Sequence, residues 1–191
     1  MAAKWTIAGT SVGVLLLMTA GGASAAPMVG QVRVVLQNPD VAPLAVVARA
    51  QAEVTRLYSL IGVMIVWVNE PVDDPRVVRV KITNWEPADS SMAPGALGVT
   101  YRVERGTSRA LVIWSRVQRT ATRSAVGLDA MLAVAIAHEL GHVLLPAGSH
   151  EKRGLMRTEW DQNDLRDAAA GLLHFSRESA VMIVRAVKSG V

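Results

Sequence analysis

The chain has 191 residues, 51% of them hydrophobic but only 4% aromatic. Its core must therefore come from Val, Leu, Ile and Ala, a globular composition that excludes a disordered chain. Twenty Lys and Arg against 16 Asp and Glu give +4 at pH 7, yet the arginines lie scattered among apolar residues and form no run, which argues against a nucleic-acid partner. The absence of cysteine excludes disulfides, thiol nucleophiles and cysteine metal sites, leaving His, Asp and Glu as possible metal ligands.

The N-terminus reads as a targeting segment. Lys4 precedes an apolar stretch from Ile7 to about Ala20, and small residues follow at Ala23 and Ala25. This pattern matches a secretory signal peptide, residues 1–25, cleaved after Ala25. The uncharged run is almost long enough to anchor in a bilayer, but its Gly, Ser and Thr content and its Ala-x-Ala ending favour cleavage. The expectation is an exported, periplasmic or secreted, protein with one domain over residues 26–191. No second run of spanning length follows, so no membrane association is expected after cleavage.

Residues 29–38 (VGQVRVVLQN) suit a strand entering a sheet. Asn38-Pro39-Asp40 is a turn, with Asp40 placed to cap a helix over 41–60, and Gly62 ends that helix. Short strands are predicted at 63–68 and 76–83. A loop rich in Pro, Ser and Gly follows, then a hairpin of strands 97–103 and 110–117. Residues 118–127 read as a connection to an apolar helix over 128–145, capped by Asp129 and stopped by Pro146. Two closing helices are expected in 160–175 and 176–190.

The chemistry gathers in AHELGHVLLPAGSHEKRGLM, residues 137–156, which hold three of the four histidines. His138 and His142 are four apart, so a helix presents both imidazoles on one face, able to grip one ion. Glu139, beside them, is placed to hydrogen-bond a water and exchange its proton. A catalytic zinc needs a third protein ligand and one open position. His150 is the candidate, returned toward the pair by Pro146-Ala147-Gly148-Ser149, with Met156 forming an apolar floor. Three polar side chains centred in so apolar a helix must be compensated, which favours a metal over ordinary core histidines. His174 has no such company and reads as structural.

This stretch resembles the metzincin zinc peptidases, whose signature is H-E-x-x-H-x-x-G-x-x-H followed by a methionine turn. It is similar in particular to a group of small exported bacterial metallopeptidase-like proteins. The resemblance implies an α+β, metzincin-like fold: a mixed twisted sheet of about five strands, a backing helix, an active-site helix and C-terminal helices. It implies one catalytic Zn2+ on His138, His142 and His150, with Glu139 as general base and acid and Met156 as the turn methionine. It also implies a peptide or protein substrate lying along the edge strand 97–103. Two positions depart from the signature: Leu145 stands where glycine is expected, and the third histidine comes eight residues after His142 instead of six. Arg157 and Trp160 are candidates for the cleft wall, with a surface role equally open for Arg157 and a core role for Trp160. Asp161 and Asp164 read as helix caps before ligand-orienting carboxylates. Two other readings remain at this level: a zinc peptidase whose third ligand is Glu159 or Asp161, and a non-catalytic exported protein that uses zinc for stability and binding.

Overall fold

The computed structural model describes residues 27–69, 74–86, 92–93, 95–101 and 108–190. The signal segment expected at 1–25 lies outside them, as do residues 102–103 at the end of the predicted edge strand.

Five strands form a mixed sheet: β1 (Gly30–Gln37), β2 (Val63–Trp67), β3 (Val78–Thr83), β4 (Gly98–Tyr101) and β5 (Arg109–Ile113). Their order is β2-β1-β3-β5-β4. The first four in that order run parallel, and β4 closes the edge antiparallel to β5, with Gly98 opposite Val112 and Tyr101 opposite Arg109. Valine and isoleucine alternate on the inward face: Val32 and Val34 on β1, Val80 and Ile82 on β3, Val112 on β5, each 3% exposed or less. A period of two makes that face a continuous apolar floor.

Helix α1 (Leu44–Ser59) crosses from β1 to β2 and buries Val47, Ala50, Val54, Leu57 and Tyr58 at helical spacing. Its partner is α3 (Leu128–Leu144), which is apolar nearly all round because α1, the sheet and the C-terminal segment enclose it. The Tyr58 hydroxyl, fully buried, donates to the Ala137 carbonyl at 3.1 Å, one residue before His138, and its ring meets Phe175 edge-on. Two shorter helices, α4 (Gln162–Ala169) and α5 (Arg177–Lys188), close the described chain. The result is α+β, with five strands and five helices among the described residues.

Several expected boundaries shift for local reasons. Helix α1 begins at Leu44 after Pro43, and Asp40 adopts a positive φ of 52° in the turn and caps nothing. The strand expected to reach Val117 ends at Ile113, and Trp114–Ser124 forms a helix, α2, where a connection was expected. Trp114, Val117 and Ala121 recur at helical spacing and are buried, a signal masked by the apolar run preceding it. Gly127 is the N-cap of α3; Asp129 sits in the first turn and pairs with Arg49 at 2.6 Å. The helix expected over 160–175 stops at Ala169, because Gly171 turns the chain with φ of 69°.

Candidate metal centre

Helix α3 carries His138, Glu139 and His142, and the loop after it carries His150. The helix stops at Leu144, and Leu145 is extended and buried. The loop reverses three residues later, where Gly148 takes φ of +72° and the His150 N–H donates to the Gly148 carbonyl at 2.8 Å. A positive φ costs glycine little, so Gly148 can make that reversal.

The ligand nitrogens of His138, His142 and His150 all lie within 4.8 Å of one another, so the three could hold a metal ion. Nε2 of His138 and Nε2 of His142 are 3.0 Å apart. Nδ1 of His138 faces the Leu155 carbonyl at 2.8 Å and must donate to it, which leaves the Nε2 lone pair facing the cluster. Burial holds the His138 pKa down to about 4, so the ring is neutral at neutral pH, the form that ligates metals. The His150 ring lies against both others, with centroids 5.6 Å from His138 and 4.7 Å from His142, although the residue is exposed. His174, also exposed, lies outside the cluster and contributes its carbonyl, which accepts from Leu155 N–H at 2.8 Å. Glu159 and Asp161 are not in the cluster either, so neither alternative third ligand is placed with the imidazoles.

Met156 is fully buried, and an ideal Cβ on Gly141 would lie 2.4 Å from its sulfur. The glycine between the two helical histidines gives that methionine its space. Trp160 is half-buried, donates from Nε1 to the same Leu155 carbonyl at 3.3 Å and meets the His138 ring edge-on at 5.6 Å. Arg157 pairs with Asp161 at 2.6 Å and with Asp164. Asp161 and Asp164 form a capping box at the start of α4, as expected of them.

Glu139 is 5% exposed and rests against the edge strand. The Thr100 hydroxyl on β4 faces both Glu139 Oε2 at 2.7 Å and the Glu139 carbonyl at 2.9 Å. Burial pushes the Glu139 pKa up to about 7, and the Thr100 hydrogen bond pulls the other way. An ideal Cβ on Gly98 would stand 2.8 Å from Glu139 Cγ and Oε1, so the strand passes this close only because residue 98 has no side chain. Thr100 and Gly98 carry no sequence motif; they become legible once β4 is known to lie over α3. Helix α2 adds Arg116, which donates to the carbonyls of Ala93 at 3.3 Å and Ala96 at 2.9 Å and pairs with Glu86, fixing the segment that leads into β4.

The three histidines, Glu139, Gly98 and Thr100 line a cleft of about 620 Å³. One wall is the 95–100 segment, the other is residues 157–160, and His138, Glu139, His142 and His150 face the space between them.

No protein-family model and no curated protein matches this sequence. Among solved structures, the fold is similar to that of metalloproteinase-II from Bacteroides fragilis, with 10% sequence identity and a TM-score of 0.50 over 85% of this chain. The fold is metallopeptidase-like. This chain spans 55% of the length of that structure, and at such low identity the likeness concerns the backbone alone. The histidine cluster stands separately, on its own geometry.

Proposed function

We propose that this chain is a metzincin-like zinc endopeptidase. The observation that carries the reading is the convergence of three imidazoles, one with its lone pair oriented by a backbone carbonyl, beside a buried carboxyl in a cleft bounded by a sheet edge. The likeness to a metalloproteinase supports it at the level of fold. His138, His142 and His150 would hold the ion, a donor set of neutral nitrogens suited to zinc. Bound there, zinc would act as a Lewis acid toward a carbonyl and acidify water.

The other roles fall to the chain itself. Residues 98–101 are an edge strand whose outer backbone groups can pair with an extended peptide. Glu139 would take a proton from the attacking water and deliver it to the leaving amine. A carboxyl whose pKa is raised toward neutrality suits that exchange. A site serving only stability has no use for such a group beside its ligands, which argues against the non-catalytic reading. Export through cleavage after Ala25 belongs to the same proposal, with a peptide or protein as substrate and no nucleic acid.

The test is metal analysis of the purified mature protein and of His150→Ala and Glu139→Ala, with cleavage of a peptide library alongside. Wild type is expected to hold one zinc and cut peptides, Glu139→Ala to hold zinc without cutting, and His150→Ala to lose most of the metal. Full zinc content in His150→Ala would remove that residue from the site.

A further inference from the structure

Side chains on a strand alternate, so β4 turns two successive positions of one face, Gly98 and Thr100, toward α3. An ideal Cβ on Gly98 would lie 2.8 Å from Glu139 Cγ and Oε1, so the missing side chain makes the space that the carboxyl fills. The Thr100 hydroxyl lies 2.7 Å from Glu139 Oε2 and 2.9 Å from the Glu139 carbonyl. One hydroxyl thus touches both the side chain and the backbone of the same residue. It locates the carboxyl against the strand and against its own helix at a single point, engaging Oε2 and leaving Oε1 for the cleft.

The backbone of Thr100 faces elsewhere. Ile113 N–H donates to the Leu97 carbonyl at 2.8 Å, and Thr100 stands opposite Ala110 in the antiparallel pairing of β4 with β5. Hydrogen-bonded and non-bonded pairs alternate along such a ladder. Residues 97, 99 and 101 therefore bond toward β5, and the N–H and carbonyl of Thr100 point to the open edge of the sheet. That edge is where an extended peptide would pair. A single residue faces the substrate with its main chain and Glu139 with its side chain.

We infer that Thr100 is a positioning residue, holding the Glu139 carboxyl in fixed register with a peptide paired to β4. The inference rests on the peptidase reading and adds the residue that aligns its base. A 1 Å displacement of a reacting group can cost about a hundredfold in rate; losing one contact while helix and burial persist should cost less, about tenfold.

The experiment measures kcat, KM and zinc content for wild type, Thr100→Val and Thr100→Ser, on a library peptide that wild type cuts. Urea unfolding is followed in parallel for wild type, Thr100→Val, Glu139→Ala and the double variant. Valine keeps the shape of threonine without its hydroxyl, and serine keeps the hydroxyl. Thr100→Val is expected to lose about tenfold in kcat and kcat/KM alike, with KM and zinc content unchanged, as for an interaction needed only in the transition state. Thr100→Ser should recover most of that loss. The destabilisation caused by Thr100→Val should shrink once residue 139 is alanine, since the carboxyl it held is gone. Wild-type kcat in Thr100→Val, no recovery with serine, a loss confined to KM, or additive unfolding costs would overturn the inference and leave the peptidase reading standing. A wild type that cuts no peptide, with the unfolding costs still coupled, would remove the peptidase reading and spare the link between Thr100 and Glu139.

Discussion

Met156 occupies the space in which a side chain at residue 141 would begin, its sulfur 2.4 Å and its methyl carbon 3.1 Å from an ideal Cβ on Gly141. Glycine in mid-helix ordinarily weakens the helix by about 1 kcal/mol relative to alanine. Gly141→Ala should for that reason stabilise an isolated helix. Here it overpacks a fully buried methionine, at a cost of about 1–3 kcal/mol. The expected net result is a lower Tm. Met156→Ala alone leaves a cavity and should cost about 2–5 kcal/mol. In the double variant alanine at 156 vacates the space, so the two costs should sum to more than the pair measured together by urea unfolding. Strict additivity would mean that the residues do not compete for the same volume.

A similar approach governs the carboxyl. An ideal Cβ on Gly98 would meet Glu139 Cγ and Oε1 at 2.8 Å and the Leu111 carbonyl at 2.5 Å, with backbone on one side and the catalytic candidate on the other. The strand cannot yield toward β5, so Gly98→Ala should displace Glu139. Misplacing a reacting group by about 1 Å can cost about a hundredfold in rate. Peptide cleavage is expected to fall by that order while zinc content stays at the wild-type level. Unchanged turnover in the variant would place Glu139 away from the chemistry.

The histidine pair was legible in sequence because helical spacing alone puts His138 and His142 on one face, and His150 because the loop over 146–149 can turn it back toward them. What escaped were contacts that depend on sheet order. Thr100 and Gly98 bear on Glu139 only because β4 takes the sheet edge over α3, a placement that no local pattern encodes. The Leu155 carbonyl that orients His138 is a backbone atom and leaves no trace in side-chain chemistry. Helix α2 was hidden because Leu111, Val112, Ile113 and Trp114 form an apolar run across a strand-to-helix junction, where periods of two and 3.6 blur.

Glu151 ties the third histidine's loop to the last helix. Its Oε1 accepts from the Ser176 hydroxyl at 2.8 Å and from the fully buried Ser179 hydroxyl at 2.7 Å, and its backbone N–H donates to the Met156 carbonyl at 2.9 Å. Glu151→Ala strands two hydroxyls and should cost about 1–3 kcal/mol. Because the neighbouring residue is His150, zinc affinity should fall as well, measured by competition with a chelator. Glu151→Gln keeps an acceptor oxygen and should recover most of both losses. A variant that loses stability but keeps full zinc affinity would confine Glu151 to holding α5.

Asp161 gives the chain an acid-sensitive element away from the histidines. Its Oδ1 accepts from the Asn163 and Asp164 N–H groups, and its Oδ2 accepts from Arg157 at 2.6 Å. The Arg157 hydrogen bond first, then the two N–H groups, hold its pKa at about 2, below the ordinary 3.8. A pKa lower in the folded than in the unfolded chain means stability that is present above the unfolded value and lost as pH falls toward the folded one. Asp161→Asn keeps an oxygen for the cap but no charge for Arg157. The Tm of wild type should exceed that of the variant by a constant margin above about pH 5 and converge on it between about pH 4 and pH 2. Taking the difference cancels the histidines and the other carboxylates, which both proteins share. The margin should shrink in high salt, because the pair is open to solvent. A margin that held unchanged to pH 2 would assign the stabilisation to the cap alone.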